Sequence, residues 1–208
     1  ALFRSRQPHD GHLFAPNSHP VELCELSLHN LHARTRSNSE DFLLRVDMLS
    51  AIGSSVMLSR VGAYHRLPGF MRRYTDERIV FLLGLPNLKE VFNERYYVDL
   101  PGGLLEGMGR LFMRDVKLAV YPAWDERRRR YLGAADYRPA ASHRLLYQQL
   151  LEGGKIVPLA PLHVHGTAPL PDEVRRMIRA NDPAWRKLVP AKVVRLIEKH
   201  RAFGYRGK

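Results

Sequence analysis

Short, continuous apolar runs constrain this chain most. Val56-Met57-Leu58 and Ile79-Val80-Phe81-Leu82-Leu83 are of the kind buried on both faces of a parallel sheet. Upstream, Val21 to Leu28 alternates apolar and polar residues as a strand does. Between these runs, Ser37-Asn38-Ser39-Glu40-Asp41 supplies a helix N-cap and an acidic first turn. Phe42, Leu43, Val46, Leu49 and Ile52 follow at helical spacing, and Gly53 ends the helix. Tyr64 to Tyr74 reads as a helix disturbed by Pro68. Strand, helix, strand, helix, strand within about 60 residues is the rhythm of βαβ units.

A second rhythm follows. Asn87 to Phe92 predicts a short helix, and Gly102-Gly103 opens another through Phe112. Val116 to Tyr121 predicts a strand stopped by Pro122, and Trp124 to Pro139 a surface loop. Ser142 to Leu151 is a helix ended by Gly153-Gly154, and Ile156-Val157 an edge strand. Pro158 to Pro171 is a Pro- and His-rich linker. Pro171-Asp172-Glu173 starts a helix, and a final helix runs from about Pro190 to His200. Residues 1–20, with three Pro and three His, predict an irregular arm without a core element, extended on a partner or in solvent. The expected fold is therefore α/β. It has a parallel, Rossmann-like sheet in residues 21–157, the arm at 1–20, and a linker with a helical C-terminal extension at 158–208.

Composition narrows the function classes. Of 208 residues, 45% are apolar and 26% charged, which excludes a wholly disordered chain. No apolar run approaches the ~18–20 residues that span a bilayer. Cys24 is the one cysteine, so an internal disulfide and a Cys-rich zinc module are excluded; its place in an apolar strand makes it a small core residue. The net charge is +12, and it is unevenly placed: residues 1–100 carry +1 and residues 101–208 carry +11. That balance favours RNA, DNA or anionic lipid as partners.

The motifs for chemistry lack their contexts. His9-Asp10-Gly11-His12 spells HxGH, a nucleotide-phosphate signature, but no strand or Gly-rich turn precedes it, and we read it as coincidence. Gly84 to Asn87 reads as a tight β-to-α turn rather than a phosphate cradle. Gly102-Gly103 could hold an anion at a helix N-terminus. His29 with His32, and His163 with His165, have ligand-like spacing without a carboxylate or thiol cluster, so no metal is expected. No Ser-His-Asp order or carboxylate pair stands out: Asp47 falls on the exposed side of a helix and Asp99 in a loop. No catalytic residue or cofactor is assigned.

The basic clusters are more informative. Arg127, Arg128, Arg129 and Arg130 run consecutively in the predicted loop. Arg175, Arg176, Arg179, Lys187, Lys192, Arg195 and Lys199 load the C-terminal helices. Arg186 and Arg201 add to them, with Asp172, Glu173, Asp182 and Glu198 as the offsetting acids. Backbone-directed RNA contact needs such a one-sign surface and no base-reading motif. An RRM aromatic signature and a KH-type GxxG in context are both missing, so phosphate contact without sequence reading is expected.

From about Val21 onward the chain also resembles the C-terminal half of a bacterial family. The resemblance rests on Asp41-Phe42-Leu43, Val56-Met57-Leu58-Ser59, Tyr64-His65-Arg66-Leu67 and Arg73-Tyr74-Thr75. It continues through Glu94-Arg95-Tyr96-Tyr97, Gly102 to Glu106, Gly109 to Phe112 and His143 to Tyr147, and ends at Asp182 to Trp185 and Phe203 to Arg206. Members are often labelled nicotinamide-mononucleotide adenylyltransferases, and the family has no established function. It typically carries Asn-Tyr after the serine equivalent to Ser59, where this chain has Arg60-Val61. With the family's preceding half absent as well, the resemblance implies that an ancestral site at that strand end or between the halves is lost.

The expected role is a non-enzymatic basic subunit of a large assembly, foremost an organellar (mitochondrial) ribosome, contacting RNA backbone and neighbouring subunits. The alternatives are an accessory subunit of a mitochondrial ATP synthase or respiratory complex, meeting acidic proteins or anionic lipid, and a nucleotide- or phosphate-processing enzyme domain. Read as a processed chain with no retained secretory signal, it belongs in the mitochondrial matrix, and otherwise in the cytoplasm.

Overall fold

The computed structural model describes residues 13–14, 18–27, 39–161 and 171–207. In chain order these form strand β1 (Leu23–Ser27), helix α1 (Ser39–Ala51), strand β2 (Ser55–Ser59), helix α2 (Leu67–Met71) and strand β3 (Ile79–Gly84). Helix α3 (Leu85–Val91), helix α4 (Gly103–Leu111) and strand β4 (Val116–Tyr121) follow. Then come strands β5 (Ala123–Asp125) and β6 (Arg130–Leu132), helix α5 (Arg144–Glu152) and strand β7 (Ile156–Pro158). Helices α6 (Pro171–Arg179) and α7 (Ala191–Lys199) complete the chain. It divides into two compact units, one of residues 1–20 and 63–163, the other of 21–62 and 164–208. The chain is mixed helix and strand with a parallel sheet, an α/β fold.

The first unit is built on the sheet β3-β4-β7, parallel throughout. Parallel strands need crossovers, and α3, α4 and α5 lie on those connections. Ile79, Phe81 and Leu83 stand in register with Val116, Leu118 and Val120, and Ile156 joins Leu118 from the far strand. This face packs against Leu88 and Val91 of α3, Leu104, Met108 and Leu111 of α4, and Tyr147 of α5. The opposite face carries Val80, Leu82, Lys117 and Val157, and Leu82 is 51% exposed. β3 is thus an edge strand with helices over one face, where continuous apolarity predicted burial on both.

Three further sequence expectations are corrected here. Residues 123–132 are an antiparallel hairpin, β5 against β6, and not a loop. Trp124 and Tyr131 face each other across it, ring centroids 5.1 Å apart and near-perpendicular, and such aromatic pairs stabilise a two-stranded ribbon. Pro68 opens α2 from its first turn instead of disturbing a longer helix, because its missing N–H costs nothing there. Gly84 is the N-cap of α3 itself, so strand passes to helix without an intervening turn.

Close approach of α4 to Tyr97 fixes this core. Tyr97 is 2% exposed, its hydroxyl donates to the Val91 carbonyl, and its ring lies against Gly107, where a Cβ would stand 2.2 Å from a ring carbon. On its other side the ring meets His65, centroids 5.1 Å apart. His65 is 3% exposed with both ring nitrogens unpartnered. Burial, then the nearby Arg66 and Arg110 charges, push its pKa down, so the imidazole is neutral in the fold. Of the N-terminal arm, Leu13 is buried and its carbonyl accepts from the Arg78 guanidinium at 3.0 Å. The rest of the arm, apart from residues 14 and 18–20, lies outside the described residues.

The second unit pairs β1 with β2 in a parallel two-stranded ladder, separate from the three-stranded sheet. Cys24 on β1 is half-buried, and Leu58 on β2 is 49% exposed, since two strands cannot shield both faces. Leu44 and Met48 of α1 share one core with Ile178 of α6, Trp185, and Val193 and Ile197 of α7. Trp185 is wholly buried in the 3-10 turn Pro183–Leu188, which Asp182 caps through the Ala184 N–H at 2.9 Å. Arg186 lies over the Trp185 and Tyr205 rings while donating to Glu198 at 2.7 Å and Tyr205 at 2.8 Å.

Two outcomes follow for stability. Gly107→Ala should cost about 1–3 kcal/mol by overpacking against Tyr97. Gly109→Ala, on the same helix with open space at its Cβ, should be stabilising by roughly 0.5–1 kcal/mol; urea melts of both variants check the contrast. For His65, folding disfavours the protonated form, so its stability is whole above the ordinary value of 6.5 and is lost as pH falls toward the depressed folded value. His65→Leu should flatten that acid-side decline below the ordinary value of 6.5, read from urea midpoints along a pH series.

Candidate nucleic-acid interface

The hairpin sorts its four arginines. The Asp125 Oδ1 accepts the backbone N–H of Arg127 at 2.9 Å and of Arg128 at 3.1 Å, which closes the turn. Its other oxygen stands 3.9 Å from the Arg128 guanidinium. Arg130 pairs with Asp136 at 2.9 Å. The Asp136 carboxyl also accepts the Gly133 N–H, and that hydrogen bond, followed by the Arg130 contact, holds its pKa below the usual range. Arg127 and Arg129 are exposed and, among the described residues, have no acidic partner. Arg129 takes a left-handed backbone, φ 47°, to turn the chain.

In the other unit, Arg175 is held by Asp172 at 2.9 Å. Arg176 and Arg179 point outward from α6, and Lys187 is exposed in the 3-10 turn. On α7, Val193 and Ile197 face the core, so helical periodicity puts Lys192, Arg195 and Lys199 on the exposed side at i, i+3 and i+7. Glu198, the acid of that helix, is committed to Arg186. The stripe is therefore of one sign. Of the eleven basic residues singled out by sequence, Arg128, Arg130 and Arg175 have internal acidic partners, and the structure groups Lys192, Arg195 and Lys199 on one face.

A groove that sequence reasoning missed lies beside the hairpin. About 330 Å³ in volume, it runs between Leu85, Pro86 and Lys89 of α3 and the stretch Ala123 to Arg127, with Leu132 behind. Trp124 adjoins it on β5, 37% exposed and paired with Tyr131 on the hairpin face opposite Ala123 and Leu132. An exposed tryptophan beside an arginine run is the signal that could have marked it.

At Gly102-Gly103, where an anion could sit, the helix end meets a carboxylate of its own chain. Glu106 reaches back so that its Oε2 accepts the Gly102 N–H at 2.9 Å, while its other oxygen meets Arg110 at 2.6 Å. The helix end already holds its own carboxylate, which those contacts keep ionised. At the end of β2, Ser59 is buried and donates to Glu25, and its Oγ accepts the Val61 N–H at 3.1 Å. His9, His12, His29, His32, His163 and His165 lie outside the described residues; within them, no cluster of His, Cys, Asp and Glu fit to hold a metal is found. No helix among the described residues is long and apolar enough to cross a membrane.

Comparison with known proteins adds no relative: no family model, curated protein or solved structure matches this chain.

Proposed function

We propose that this chain is a non-enzymatic basic subunit of a large RNA–protein assembly, with the mitochondrial ribosome as the specific setting. The observation that carries the reading is the stripe Lys192, Arg195 and Lys199, which presents three cations along one face of α7 with no acidic partner among the described residues. A solvated helix face usually mixes charge signs, and a one-sign row suits contact with an anionic backbone. Arg127 and Arg129 at the hairpin tip supply a second contact of the same kind. The finer fold reading belongs here too: strand order β3-β4-β7 with helices over one face fits part of a Rossmann-like sheet. Descent from the bacterial family resembled at Asp41 to Arg206 accords with it. Glu106 occupies the Gly102 N–H at the start of α4, and Ser59 is bonded to Glu25, so both groups are engaged within the chain, in keeping with a scaffold role.

Binding to RNA should weaken with salt, log affinity falling against log salt by roughly 0.7–0.9 per neutralised phosphate. The triple variant Lys192→Gln, Arg195→Gln, Lys199→Gln should lower that slope by about 2–3 and weaken all RNA sequences alike, with the thermal midpoint unchanged. Filter binding across a salt series reads both. Failure to bind RNA at low salt, or tight binding to anionic vesicles in its place, would overturn the proposal.

A further inference from the structure

We infer that the turn Tyr64–Arg66 and helix α2 form an acid-released latch: they close on α4 while the His65 imidazole is neutral and lift away when it takes a proton. The geometry is that of a buried ring with nothing to accept from it. His65 is 3% exposed, and its ring lies 5.1 Å from that of Tyr97. Among the described residues neither of its nitrogens has a hydrogen-bond partner. The turn and α2 both pack on α4, and Leu67 and Pro68 are buried along with His65. An imidazolium donates from both nitrogens, so one buried there would carry a charge and two unmet N–H groups.

The groups around the ring do not relieve that cost. Its own turn supplies the Arg66 guanidinium and Tyr64, whose hydroxyl already accepts from Asn87 at 2.9 Å. From α4 come Glu106 and a second cation, Arg110. Both Glu106 oxygens are committed, Oε2 to the Gly102 N–H at 2.9 Å and Oε1 to Arg110 at 2.6 Å. Tyr97 donates to the Val91 carbonyl, and burial pushes its pKa up, so the phenol stays neutral. Helix α2 has no titratable side chain. A proton on His65 therefore joins two positive charges and finds water only when the turn lifts. Downstream the chain is pinned, since Arg72 donates to the Asp115 carbonyl at 3.3 Å and Arg78 meets the Asp115 carboxylate at 2.8 Å. The opening is accordingly confined to residues 64–71, and it bares Leu67, Pro68 and one face of Tyr97. With the closed-state pKa depressed, closure is whole above the ordinary value of 6.5 and weakens as pH falls toward the closed-state value.

Amide hydrogen exchange of the full chain, normalised to intrinsic rates and followed by mass spectrometry along a pH series through 6.5, tests this. Protection in residues 64–71 should fall on the acid side by at most about tenfold per pH unit, the limit for one linked proton, while β4 keeps its protection. His65→Leu should make protection in that segment independent of pH. If His65→Leu does not fold, Arg110→Gln answers in its place. It removes a cation facing the ring and frees a Glu106 oxygen as an acceptor, so the acid-side loss should shrink. Flat protection in the unaltered chain, an equal loss in β4, or a loss that persists in His65→Leu overturns the inference. So does a loss in Arg110→Gln that is unchanged or larger.

Discussion

The parallel pairing of β4 with a neighbour on each side is the constraint that the first unit depends on. Val116, Leu118, Ala119 and Val120 are wholly inaccessible, and each of the strand's two ladders demands a crossover of its own. The helices on those crossovers then have a single apolar floor, which is why Leu88, Val91, Leu111 and Tyr147 converge on it. The tight contact of Gly107 with Tyr97 is the corollary, since α4 can settle onto that floor only where a side chain is missing. A tyrosine buried this deeply also has to place its hydroxyl, and the Val91 carbonyl accepts it.

The second unit solves a smaller problem with different means. Its two-stranded ladder is too narrow to make a core, and the helices do so by closing on Trp185. Arg186 is spent on that closure, stacked over two aromatic rings and bonded to Glu198 and Tyr205. This commitment withdraws the one acid that would have offset the α7 stripe. A packing requirement thereby sets the sign of the surface.

Much of the fold was legible where local chemistry decides it. β4 ends at Tyr121 because Pro122 stops it, α4 begins at the Gly102-Gly103 pair, and α6 begins at Pro171 with acids in its first turn. The hairpin was hidden because its turn uses Glu126 to Arg129, with an arginine in the left-handed position that glycine or asparagine usually signals. The closing of α1 on α6 and α7 depends on contacts between Leu44 or Met48 and residues well over a hundred positions away, which no local periodicity encodes. The basic clusters were visible, but not which of their members would be tied to Asp125, Asp136 or Asp172. Nor was the groove, since it needs α3 and the hairpin side by side.

Arg114, Arg129 and Arg201 all adopt positive φ, between 47° and 54°, a region that disfavours any residue with a Cβ by about 1–2 kcal/mol. Placing arginine there stiffens each bend, because few other backbone states remain compatible with the chain on either side. The side-chain torsions beyond Cα stay free, so each such residue fixes where the chain turns and leaves its guanidinium to sweep the solvent around the bend.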